Sequence, residues 1–178
     1  MEEIEVKILD VDRKKCEKIL LKLGAKKVFE GKMIALRFDD INNNLRNNHK
    51  TLRLRTEGKD NVLCVKELIS EKGFKRMNEI ETKISDFKNT LIILEKLGFK
   101  SSGKITKRRI SYKLNSTKFE FDKHLNNYSF IPEFLEIESN NTKSIEKYAK
   151  VLGYKKEDMK PWGFRKVVKK YSKIKKTN

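Results

Sequence analysis

The chain has 178 residues, of which 37% are apolar and 38% charged. That length allows one domain with a real core, and 43 Lys/Arg against 25 Asp/Glu give a formal charge of +18. Such a balance favours anionic partners such as phosphates, nucleotides or nucleic acid, and no run approaches the roughly 18 apolar residues of a membrane span. The start, Met1-Glu2-Glu3-Ile4-Glu5, is not a basic-then-apolar signal, so a soluble cytoplasmic protein is expected.

Residues 3–9 alternate charged and apolar side chains, as a strand with one polar face does. Asp10 and Asp12 offer N-caps. Cys16, Ile19, Leu20 and Leu23 then form one apolar helix face, and Gly24 stops the helix. Strands are predicted over 26–38, 50–57, 61–68 and 74–84. The run from Asn42 to His49 is a polar loop, and Glu57-Gly58-Lys59-Asp60 reads as a hairpin turn. Phe87, Leu91 and Leu94 mark a second helix that ends at Gly98. Further strands are predicted over 104–114, 117–123 and 131–139. Ile145, Tyr148, Ala149 and Leu152 mark a third helix, stopped by Gly153. A last strand is predicted over 161–171. It runs into a tail from Arg165 to Asn178 with seven Lys/Arg, either a solvated end or a patch for polyanions. Nothing reads as an interdomain linker, so residues 1–178 are expected to form one domain. Cys16 and Cys64 give neither a disulfide framework nor zinc spacing, and Cys16 is expected to be a buried thiol. His49 and His124 have no ligand partners at zinc spacing.

Glu-Ile-Glu occurs three times, at Glu3-Ile4-Glu5, Glu79-Ile80-Glu81 and Glu136-Ile137-Glu138. Each copy precedes a helix that runs into Leu-Gly. On a strand the two carboxylates share a face and repel unless solvent, a basic neighbour or a metal ion lies between them. Other strands carry basic pairs: Arg53 with Arg55, and Lys107 with Arg109. Lys66 ends Val62-Leu63-Cys64-Val65-Lys66, and Glu120 shares a face with Asp122. A wet sheet face is the ordinary explanation for any one of these strands. Two features point elsewhere. The signs are segregated by strand, and the opposite faces carry aliphatic side chains suited to packing helices. Helices outside a closed sheet would turn the charged faces inward. A lining of both signs suits a polyanion that carries a divalent cation: Arg and Lys hold phosphate oxygens, and carboxylates hold a hard metal.

In that order along the chain, these residues resemble the CYTH superfamily, the triphosphate tunnel metalloenzymes. Glu3-x-Glu5-x-Lys7 is similar to the ExExK signature, and Leu52-Arg53-Leu54-Arg55 to an LRxR strand. Leu63-Cys64-Val65-Lys66 is similar to L-T-x-K, with Cys in place of Thr. Arg76 with Glu79 and Glu81, then Lys107-x-Arg109, Asp122 and Glu136-x-Glu138, resemble the later positions. The resemblance implies an α+β fold, a closed antiparallel eight-stranded β-barrel with helices outside. It implies that Lys7, Arg53, Arg55, Lys66, Lys107 and Arg109 hold phosphates. By the same carry-over, Glu3, Glu5, Asp122, Glu136 and Glu138 face Mg2+ or Mn2+, and Glu79 and Glu81 complete the lining. Lys7, Glu5 and Asp122 are the expected catalytic group.

The family implies a metal-dependent enzyme acting on triphosphates. The class IV adenylate cyclase branch, a phosphorus–oxygen lyase making cyclic AMP and pyrophosphate from ATP, is the expected one. Inorganic triphosphatase or thiamine triphosphatase is the alternative. A non-catalytic polyanion-binding module is more remote, because no RNP-like strand, helix-turn-helix or zinc finger accompanies the charge. The expected partner is thus ATP or another triphosphate, with no specific nucleic acid and no membrane. Whether the chain forms a homodimer stays open.

Overall fold

The computed structural model describes residues 2–175; the last three residues of the basic tail lie outside them. Strands β1 (Glu2–Ile8), β2 (Lys26–Asp39), β3 (Lys50–Glu57), β4 (Asp60–Ser70), β5 (Lys75–Ile84), β6 (Lys100–Leu114), β7 (Thr117–His124) and β8 (Phe134–Ser139) close into one antiparallel barrel. The strand order is β1-β5-β4-β3-β2-β6-β7-β8, and β8 pairs with β1 to complete the ring. Helices α1 (Arg13–Lys22), α2 (Asn44–Asn47), α3 (Phe87–Lys96), α4 (Thr142–Val151) and α5 (Phe164–Lys175) lie outside it. The α+β tunnel architecture implied by the resemblance is therefore present.

The three Leu-Gly helices start and stop by local chemistry. The Asp12, Asp86 and Asn141 side chains accept from Lys15 N, Asn89 N and Lys143 N. Gly24, Gly98 and Gly153 follow with φ of +85°, +89° and +92°, a region that side chains with Cβ enter at a cost. The polar loop after β2 holds a single helical turn, α2. It is secured because buried Asp39 accepts from Leu45 N and Arg46 N.

The apolar faces of the strands carry three cores. The largest sets Ile4, Val6, Ile8, Phe119, Phe121, Leu135 and Ile137 against α1 and α4 through Leu20, Ile145 and Ala149. Each such side chain, fully buried, contributes about 1.5–3 kcal/mol. A second core packs Phe38, Leu52 and Leu54 against Leu94 of α3. Both cysteines are buried and free.

Two expectations are corrected. Residues 161–171 are not a strand. Phe164, Val167, Val168 and Tyr171 recur at i, i+3, i+4, i+7, and α5 buries Val167 and Tyr171 against Ile131 and Phe134. The strand-like character nearby is one bridge, in which Lys160 and Lys7 exchange backbone hydrogen bonds at 2.8 Å. Nor does every isoleucine of the Glu-Ile-Glu triplets meet a helix. Ile4 and Ile137 are 4% and 0% exposed, but Ile80 is 70% exposed.

Candidate active site

The three Glu-Ile-Glu strands, far apart in sequence, are neighbours in the barrel: β5, β1 and β8 lie side by side. Their period of two turns Glu3, Glu5, Glu79, Glu81, Glu136 and Glu138 to the interior. The same alternation turns Lys66 of β4, Arg53 and Arg55 of β3, Lys107 and Arg109 of β6, and Asp122 of β7 inward. With Lys7, every site residue expected from the sequence lines one cavity of about 420 Å³.

The interior is a lattice of ion pairs. Arg109 donates through Nε and Nη2 to the two oxygens of Asp122, both at 2.6 Å, and through Nη2 to Glu136 at 2.9 Å; it also pairs with Glu120. Lys107 reaches the same Asp122 at 2.7 Å. Lys7 pairs with Glu136 and with Glu5 at 3.1 Å. Lys66 bridges Glu3 at 2.5 Å and Glu79 at 2.7 Å. Arg53 lies 3.5 Å from Glu79, and Arg55 lies 3.0 Å from Glu81.

Nine Lys/Arg and ten Asp/Glu side chains line the cavity, so the lining is close to neutral. The excess of +18 over the whole chain therefore lies outside the tunnel. A polyanion entering a balanced lining must bring cations with it or displace the carboxylates from their partners.

Burial would neutralise these groups, but their partners hold most of them charged. For Lys7, burial pushes the ammonium down, yet Glu136 and Glu5 more than offset this and raise it. Asp122 and Glu136 resist burial likewise. Arg109 and Lys107 lower Asp122, and Lys7 and Arg109 hold Glu136 well below the usual carboxylate range. Glu138 behaves oppositely: burial, then Glu3 and Glu120, push it up to about 8. Among the described residues it pairs with one cation, Lys118 at 2.9 Å. Burial, followed by repulsion from Arg109, lowers Lys107.

The donor chemistry fits a hard divalent ion. The groups are carboxylates, and the crowding of Glu138, Glu3 and Glu120 leaves a proton where a cation would relieve repulsion. Among the described residues, no three His, Cys, Asp or Glu side chains already converge as a metal nest. The carboxylates face Lys and Arg instead.

Sequence reading missed several lining residues. Lys75, not Arg76, is the inward cation of β5. Its Nζ meets Glu5 at 2.7 Å, whereas Arg76 pairs on the outside with Glu2 at 2.7 Å. The alternation Lys75, Met77, Glu79, Glu81 carries that signal. Glu120 and Lys118 extend the inward face of β7 and follow from the same period. Arg37, His124 and Phe164 also line the tunnel. His124 continues the inward face of β7 by the same period, but the three become neighbours only once β2, β7 and α5 are assembled.

Comparison with known proteins agrees with this geometry. Residues 1–168 match the CYTH domain. The chain belongs to the CYTH family, whose triphosphate tunnel enzymes use divalent metals. It is 31% identical to "Putative adenylate cyclase MJ0240" of Methanocaldococcus jannaschii over 83% of this chain and 82% of that protein. The PH1012 protein from Pyrococcus horikoshii is similar in structure, with a TM-score of 0.77 at 28% identity over 93% of this chain and 98% of that one. A Hippeastrum protein, described as a putative adenylyl cyclase with a dominant triphosphatase activity, shares the fold. Its TM-score is 0.65 at 19% identity, over 90% of this chain and 91% of that one. Among the described residues no helix is long and apolar enough to cross a membrane.

Proposed function

We propose that this protein is a metal-dependent enzyme that converts ATP to cyclic AMP and pyrophosphate inside the tunnel, working as one unit in the cytoplasm. The observation that carries the triphosphate assignment is the buried lining in which Lys and Arg interleave with carboxylates. Cyclisation is favoured over other triphosphate chemistry by the name of the Methanocaldococcus relative.

Lys7, Arg53, Arg55, Lys66, Lys107 and Arg109 hold the phosphate chain. Arg53 keeps a buried Nε without a hydrogen-bond acceptor, a donor free for a phosphate oxygen. Glu3, Glu5, Asp122, Glu136 and Glu138 would hold Mg2+ or Mn2+, and Glu79 and Glu81 tune the cations beside them. A divalent ion held there would supply positive charge to the α-phosphate and the ribose 3′-hydroxyl. The chain's own groups fix the geometry. Arg109, anchored on three carboxylates, sets the position of the transferring phosphorus. Lys7 neutralises charge that develops on its oxygens. The 3′-oxygen bonds to the α-phosphorus, the bond to the bridging oxygen breaks, and pyrophosphate leaves; the hydroxyl proton passes to a carboxylate, the role proposed for Glu5 or Asp122.

A second reading is hydrolysis of tripolyphosphate or thiamine triphosphate. The triphosphatase activity stated for the Hippeastrum protein favours it, and the phosphate clamp would serve water as well as a ribose hydroxyl. Incubation with ATP, tripolyphosphate and thiamine triphosphate, each with Mg2+ or Mn2+, followed by product identification, tests both. Cyclic AMP from ATP supports cyclisation. Orthophosphate release with no cyclic product supports hydrolysis, and no turnover of any substrate refutes both.

A further inference from the structure

At one end of the tunnel the lining changes from ion pairs to rings. Phe164 at the start of α5 stands 4.6 Å from the ring of His124 and 5.0 Å from that of Tyr128. The Arg37 guanidinium lies 5.5 Å from the Phe164 ring centre. Beside them opens a side cavity of about 180 Å³, and Arg37, Ile105 and Phe164 line both this cavity and the tunnel. The two spaces therefore share a wall. His124 stands opposite Lys107 in the β6–β7 register, so the chamber meets the charged tunnel at Lys107 and Asp122.

Two polar atoms in this chamber have no use in the chemistry described above. Arg37 Nε and His124 Nδ1 are buried and lack hydrogen-bond partners. The other Lys and Arg side chains of the tunnel each touch a carboxylate. Arg37 pairs with none among the described residues, and its charged neighbours are Arg53 and Arg165, of like sign. A half-buried guanidinium without an acceptor is costly, and a ligand that supplies one would remove that cost.

The surroundings say which kind of ligand. Apart from Arg37, Arg165 and Ser102, the side-cavity walls are aromatic and aliphatic (Tyr128, Phe164, Ile105, Val168), and among the described residues they hold no carboxylate for a metal and no lysine. A flat ring stacks on Phe164 and His124 and takes cation–π attraction from Arg37, while polar atoms on its edge answer Arg37 Nε and His124 Nδ1. A bare phosphate would use none of the rings. We propose that this chamber receives the heteroaromatic base of the substrate, with Phe164 and Arg37 as specificity-determining residues that favour base-bearing triphosphates over inorganic tripolyphosphate. The inference rests on the triphosphate reading of the tunnel.

The test is a set of dissociation constants from thermal-shift titrations in Mg2+, with ATP, GTP, thiamine triphosphate and tripolyphosphate as ligands. The wild-type protein is expected to bind at least one base-bearing ligand about tenfold more tightly than tripolyphosphate. Phe164→Ala and Arg37→Leu should each weaken that ligand roughly ten- to a hundredfold, the range for loss of one stacking partner, with tripolyphosphate within about threefold of wild type. Retained tripolyphosphate binding also shows that each variant is folded. Equal losses for both ligand types would make Arg37 and Phe164 part of the phosphate clamp and overturn the proposal. So would no loss for either, or a wild-type protein that binds tripolyphosphate tightly and is indifferent to the base. A wild-type protein that binds none of the four would refute the triphosphate reading itself, and this inference with it.

Discussion

Arg109 and Asp122 meet as a two-pronged pair at the centre of the barrel, Nε to Oδ1 and Nη2 to Oδ2, both at 2.6 Å. They are cross-strand partners in the β6–β7 register, and Asp122 is 1% exposed. Arg109→Ala strands Asp122, Glu120 and Glu136 without their shared cation. Removing one partner of a buried pair costs about 3–5 kcal/mol. Urea unfolding of the ligand-free variant should show a loss of that order, partly recovered when Asp122→Asn is added. Turnover should fall with any triphosphate. A variant of wild-type stability would show that the pair is not held as described.

Glu138 is the carboxylate with the opposite character. Its folded value of about 8 lies above the ordinary 4.5, because of burial and then Glu3 and Glu120. The native protein thus keeps a proton that the unfolded chain releases between those values. Stability of the metal-free protein therefore falls as pH rises from 4.5 to 8. Glu138→Gln should flatten that slope and gain up to a few kcal/mol above pH 8, while losing turnover. Glu136→Ala should also abolish turnover without unfolding the barrel. Near-normal activity of both variants at saturating Mg2+ and Mn2+ would remove these carboxylates from the metal site.

Much of this was legible in the chain because a strand has a period of two. Glu3-x-Glu5-x-Lys7 and Lys107-x-Arg109 point into the tunnel, and Ile4, Val6 and Ile110 point into the outer core, as alternation requires. What failed has physical causes. In β5 the phase of the alternation decides between Lys75 and Arg76, and motif spacing alone selected the wrong one. In 161–171 the β-branched and aromatic side chains suited a strand, but their spacing was that of a helix face. Arg37, His124 and Phe164 sit on separate elements, so only closure of the barrel and docking of α5 bring them together.

The β5 correction gives a sharp comparison. Lys75→Ala frees Glu5 from its 2.7 Å partner inside the tunnel and should lower kcat/KM. Arg76→Ala removes only an exposed pair with Glu2, worth at most about 1 kcal/mol, and should leave the kinetics unchanged. The reverse pattern would place Arg76, and not Lys75, in the site.

Ligand linkage follows from the near-neutral lining. A triphosphate with Mg2+ or Mn2+ at a hundredfold excess over its dissociation constant should stabilise the native state by about 2.7 kcal/mol. The triphosphate with EDTA should give a much smaller shift in Tm, because no cation accompanies its charge. Equal shifts with and without divalent ion would show that the carboxylates do not hold metal.

The most direct test of cyclisation is phosphorus NMR of ATP incubated with the protein and Mg2+. Cyclic AMP and pyrophosphate should grow in equimolar amounts as ATP declines, the pyrophosphate resonance with twice the area of the cyclic AMP one, with no orthophosphate and with loss of both products in Glu136→Ala. Orthophosphate with ADP or AMP and no cyclic product would contradict it.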